Sequence, residues 1–208
     1  DALILPNKWF GSELGEAGLD LVREAVRGKL RMAVAAYGRT TSDSDRRHER
    51  VRLNFLHPDE VSEISATVRV IRSRVQGCAA NPAPTVVETR IGGSFFNAGV
   101  PTASSHLNDV AAFIEVERAS ESDGSAGSLH AHAVVRQCTA VDAEEDCSES
   151  TVLFSQNLGP VVQGRRTDLL LQWDEANDQF LFQRDTQAVV AYHYPVSDVN
   201  DPGVPGKR

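Results

Sequence analysis

Leu169-Leu170-Leu171-Gln172-Trp173-Asp174-Glu175-Ala176-Asn177-Asp178-Gln179-Phe180-Leu181-Phe182 is an apolar run, a polar break and a second apolar run. Asp and Asn side chains bond their own backbone and tolerate turn conformations, so the break from Asp174 to Asp178 predicts a tight connection. The flanking runs are short and rich in aromatic and branched residues, which suits strands. Together they predict an antiparallel hairpin. A second turn at Arg184-Asp185-Thr186-Gln187 leads into a third strand over 188–194.

The same rhythm extends outward from this hairpin. Val51-Arg52-Leu53-Asn54-Phe55 alternates apolar and polar, as do Ile64–Ile71 and Phe113-Ile114-Glu115-Val116-Glu117. Successive side chains of a strand point to opposite faces, so this period of two marks half-buried strands. Strands are expected near 19–26, 30–37, 51–56, 61–75, 85–96, 109–118, 128–138, 151–155, 167–173, 179–183 and 188–194, about ten to twelve in all. No segment carries a helical period; the best, Leu14–Val26, contains Gly15 and Gly18. Many short antiparallel strands with polar turns predict an all-β sandwich or barrel. One domain over 1–200 is expected, with 201–208 as a Pro/Gly-rich tail or linker. Four connections exceed plain turns: Arg39–Arg50, Gln76–Pro84, Asn97–Asn108 and Ala119–Ser128.

Composition narrows the function classes. The 208 residues carry 21 basic and 29 acidic side chains, a net charge of −8, which argues against a nucleic-acid partner. No apolar run approaches the roughly 20 residues of a membrane span. Phosphate-binding loops, dinucleotide fingerprints and nucleophile elbows are absent from the sequence, leaving nucleotide-dependent and α/β-hydrolase chemistry without support. Cys138 and Cys147 bracket a polar, acidic segment between two strand-like stretches, so a hairpin disulfide is expected. A disulfide implies a secreted, periplasmic or cell-surface setting. Cys78 is left over, with its pairing open.

The run from Leu169 through Trp173, Asp174 and Asn177 to Phe182 resembles the late hairpin of the concanavalin A-like lectin/glucanase superfamily, which includes laminin G-like domains. Gly28-Lys29-Leu30-Arg31-Met32 and Gly92-Gly93-Ser94-Phe95-Phe96-Asn97 are similar to strands of its bacterial secreted members. The resemblance implies an antiparallel jelly-roll β-sandwich of two curved sheets, often with calcium and often binding glycans. It does not by itself imply an enzyme, since one fold hosts many functions.

Superfamily members that hydrolyse glucans carry alternating strand carboxylates, and the nearest match is Glu115-Val116-Glu117, without the intervening aspartate or third acid. His130-Ala131-His132 puts two imidazoles on one strand face, but no motif delivers a third ligand. Calcium needs clustered oxygens, offered by Asp43 and Asp45 and by Asn108 and Asp109. The stretch from Phe96 and Asn97 to Asn108 and Asp109 is the expected ligand-binding loop. Asn97, Asn108 and Asp109 would meet sugar hydroxyls, Phe96 would offer an apolar face, and Arg90 would meet an acidic glycan. The expected function is a non-catalytic secreted or periplasmic domain binding a glycan or protein surface. Alternatives are a glycan hydrolase or lyase using Glu115 and Glu117, or a structural subunit of an extracellular assembly that oligomerises through its sheet edges.

Overall fold

A computed structural model describes residues 9–14, 20–26, 29–35, 50–55, 61–77, 84–96, 106–121, 123, 125–141, 143 and 147–194. The chain groups into two compact units, Asp1–Pro58 with Cys78–Ala83, and Asp59–Gly77 with Pro84–Arg208. In the first, β1 (Trp9–Leu14) pairs antiparallel with β4 (Arg50–Phe55), and β2 (Asp20–Val26) pairs with β3 (Lys29–Ala35). Strand β1 was not anticipated, because Trp9-Phe10-Gly11-Ser12 does not alternate; its register against β4 makes it a strand.

The second unit is an all-β sandwich of two antiparallel four-stranded sheets. One has the order β12-β11-β10-β5, built from β5 (Glu63–Arg69), β10 (Arg166–Asp174), β11 (Gln179–Arg184) and β12 (Val190–His193). The other has the order β6-β7-β8-β9, built from β6 (Val86–Phe96), β7 (Val110–Ala119), β8 (His130–Val141) and β9 (Cys147–Pro160). The alternation does the work assigned to it. Val110, Ala112, Ile114 and Val116 of β7 and Ala131, Ala133 and Val135 of β8 turn inward. They share one core with Leu169, Leu171 and Trp173 of β10 and Phe180 and Phe182 of β11. Burying each Val, Ile, Leu or Phe among them contributes about 1.5–3 kcal/mol against solvent exposure. Strands consecutive in sequence lie side by side, with β5 added to β10 at one edge.

The deciding hairpin forms as read. Trp173 pairs with Phe180 across β10 and β11, ring centroids 4.8 Å apart. The Asp174 carboxylate accepts hydrogen bonds from Gln179 (2.9 Å) and Asn177 (2.7 Å), which hold it below the usual carboxylate range. Asp178 takes the left-handed conformation that closes the turn (φ 49°). The Cys138–Cys147 disulfide is present, with Cα atoms 5.8 Å apart, and fastens β8 to β9. Cys78 lies outside the described residues. Among the described residues, no helix is long and apolar enough to cross a membrane.

Two strands differ most from their expected bounds. The strand expected over 61–75 ends at Arg69; beyond it, the Val70 carbonyl accepts from the Gly164 N–H and the chain leaves the ladder. Strand β9 runs over 147–160 rather than 151–155. Its Gln156-Asn157 end lies beyond the expected strand because an edge strand has water on one side and tolerates polar residues and bulges. Register shifts against β8 recur along its length.

A candidate polar binding face on the second sheet

Because β7 commits its even-numbered residues to the core, Phe113, Glu115 and Glu117 share the opposite face of the sheet. Cross-strand register then assembles a cluster there. Glu115 stands opposite Arg90 of β6 and His132 of β8, and Glu117 stands opposite Glu88 and His130. His132 in turn pairs with Asn157 of β9. The carboxylate pair and the histidine pair, separate features in the sequence, are thus immediate neighbours on two adjacent strands.

The two glutamates have different fates. Glu115 is buried, at 3% exposure, with Arg90 Nε at 2.9 Å and Arg136 at 3.4 Å. Burial raises its pKa above the ordinary value, Arg90 and Arg136 pull against that shift, and Glu88 and Glu117 add to it. Arg90 also binds Glu88 at 2.7 Å and lies over the Phe113 ring, 5.3 Å from its centroid. Glu117 is only half-buried, and its Oε1 is 3.6 Å from His132 Nε2. Glu117, Glu121, His130 and His132, with Ala119, Gly127 and Ser128, line an open hollow of about 280 Å³.

One carboxylate oxygen from each of Glu88, Glu115 and Glu117 lies within 4.8 Å of the others, a spacing a metal ion could bridge. The Arg90 guanidinium already holds two of those three carboxylates, which is the electrostatic role a cation would fill. The chain matches no known family model, curated protein or solved structure. The case for this face therefore rests on its own geometry.

The other expected site residues are dispersed. Arg90 joins the Glu115 cluster, so its charge is spent on carboxylates rather than kept for an acidic ligand. Asn108 and Asp109 sit beyond the far end of β7, seven and six residues from Glu115, which is about 20 Å of strand or more. The expected ligand loop therefore does not include Arg90. Asn108 adopts a left-handed turn (φ 67°), and its N–H donates to the Cys138 carbonyl. The buried Asp109 carboxylate contacts His106 Nδ1 at 2.8 Å, an arrangement that closes a turn. Phe96 ends β6, its backbone paired with Val110. Asn97, Asp43 and Asp45 lie outside the described residues. Sequence reading missed Glu88, Glu121, Arg136 and Asn157. Each is an ordinary polar strand or loop residue whose relevance appears only once β6, β7, β8 and β9 are set in order.

Proposed function

We propose that this protein is a non-catalytic β-sandwich module of secreted or periplasmic type that binds a neutral glycan in the hollow beside Glu117. The observation that carries this reading is the separation of roles on one face. Glu115 is sealed beneath Arg90 and Arg136, while Glu117, Glu121, His130 and His132 stay open around the hollow. A retaining glycosidase needs two accessible carboxyls about 5–5.5 Å apart, and Glu115, buried beneath two guanidiniums, is not open to a substrate. Carboxylates and imidazoles around a shallow concavity instead supply the acceptors and donors that sugar hydroxyls require. Glu117 and Glu121 disfavour an anionic ligand at this short range. The disulfide supports an oxidising compartment, and the resemblance to concanavalin A-like proteins supports the ligand class.

A glycan array probed with and without EDTA tests the proposal. Neutral-sugar hits that survive EDTA and weaken at least tenfold in Glu117→Gln and His132→Ala are expected. Empty arrays in both conditions would discard the glycan in favour of a protein partner. Turnover of any bound glycan would restore the hydrolase reading.

A further inference from the structure

The hollow's donor pattern is set from one strand further out. Asn157 on β9 contacts two groups: its Oδ1 accepts the Gly159 N–H at 2.6 Å, and its Nδ2 lies 3.2 Å from His130 Nδ1. A backbone N–H can only donate, so Oδ1 must be the atom facing Gly159. The amide orientation is thereby fixed, and Nδ2, a donor only, faces the imidazole. Neutral His130 must then accept at Nδ1 and carry its proton on Nε2.

The support for Asn157 continues inward. Gly159 has φ +101°, a conformation that side chains rarely adopt, and a Cβ there would sit 2.8 Å from the Arg184 guanidinium. That guanidinium, almost fully buried, donates to the Leu158 carbonyl at 2.7 Å and the Pro160 carbonyl at 2.6 Å. It therefore clamps the backbone on either side of Gly159. The bend directs the Gly159 N–H at Asn157, and Asn157 in turn sets the ring.

We infer that Asn157 is a positioning residue that locks His130 as its Nε2–H tautomer, so that His130 offers the hollow a hydrogen-bond donor and not a metal-ligating lone pair. The inference deepens the proposed binding role, since it specifies that the ligand atom beside His130 is an acceptor oxygen. Paired with the Glu117 carboxylate one strand away, it makes a donor and an acceptor, the complement of hydroxyl groups that both give and take a proton.

Long-range ¹H–¹⁵N NMR on the full chain with ¹⁵N-labelled histidine, recorded above the imidazole titration range, reads the tautomer directly. His130 is expected to show a pyridine-type Nδ1 and a pyrrole-type Nε2. Asn157→Asp keeps the acceptor for Gly159 but can only accept from His130, so the Nδ1–H share should rise about fivefold or more. Asn157→Leu, which leaves Nδ1 without this partner, should give an intermediate value and guards against a folding defect in the first variant. A pyrrole-type Nδ1 in the wild type, or identical tautomer signals in wild type and Asn157→Asp, overturns the inference. The result separates from the glycan reading: a tautomer shift with an empty glycan array keeps Asn157's role and discards the sugar. Sugar binding without any tautomer shift does the reverse.

Discussion

Glu115 is pulled in two directions, and burial outweighs its arginine neighbours: its folded pKa lies above the unfolded value. The folded state therefore holds this proton more tightly than the unfolded chain. The stabilisation is complete below the unfolded pKa near 4.5 and is lost as pH rises through the folded value. Glu115→Gln removes the titration. Wild type is thus expected to lose stability relative to Glu115→Gln as pH climbs from below 4.5, measured as the difference in urea unfolding free energy across that range. A difference that moves the opposite way with pH would show that Arg90 and Arg136 dominate instead. Gly92 gives a sharper residue-level case. It stands opposite Phe113 with φ +138°, and an added Cβ would collide with the Ala112 carbonyl and come within 2.8 Å of Phe113 Cα. Both are backbone atoms of the central strand β7, which cannot yield without breaking the ladder. Gly92→Ala is expected to cost about 3 kcal/mol or more, read from the urea midpoint.

At the scale of elements, the β8–β9 hairpin combines a long, bulged edge strand with a covalent tie. The disulfide closes a loop between Cys138 and Cys147, nine positions apart in sequence. Loop-closure entropy for that span contributes about 2–3 kcal/mol in the chain-entropy model. The Cys138→Ser, Cys147→Ser double variant is expected to lose about that much in chemical denaturation, and a change well under 1 kcal/mol would mean the bulged hairpin holds its register unaided. This hairpin also shows what alternation can and cannot reveal. Strands with one wet and one buried face, such as β7 and β10, were legible because their inward rows are dominated by apolar residues, Val, Ala, Ile, Leu and Trp. Strand β9 was cut short because its flanks carry polar residues that water at an edge accommodates, and β1 was missed for want of any period. Residues 70–75 were over-read: Val70, Ile71 and Val75 continue the apolar content of β5, but the ladder with β10 ends at Arg69.

For the sandwich of the second unit, layers follow from local pattern, whereas strand order does not. Alternation fixes which side chains turn inward but is silent on which strand lies beside which, so it could not have put Glu117 next to His130. The site was accordingly legible as parts, a glutamate pair and a histidine pair, and not as a constellation; Asn157 and Arg136 had no local signal at all. Arg184 shows how far the two sheets depend on each other. It belongs to β11 yet satisfies two carbonyls at the end of β9 in the facing sheet, nearly sealed from water. Arg184→Met keeps the length and apolar stem but leaves the Leu158 and Pro160 carbonyls without this donor, at a cost of about 3 kcal/mol. If the sheets open as one cooperative unit, the loss appears equally in both. Native-state hydrogen exchange should then show the Ile114 amide in one sheet and the Leu171 amide in the other losing protection by the same free energy in Arg184→Met. Loss confined to β9, with Leu171 protection unchanged, would show that the arginine anchors only a local edge and that the sheets are not coupled through it.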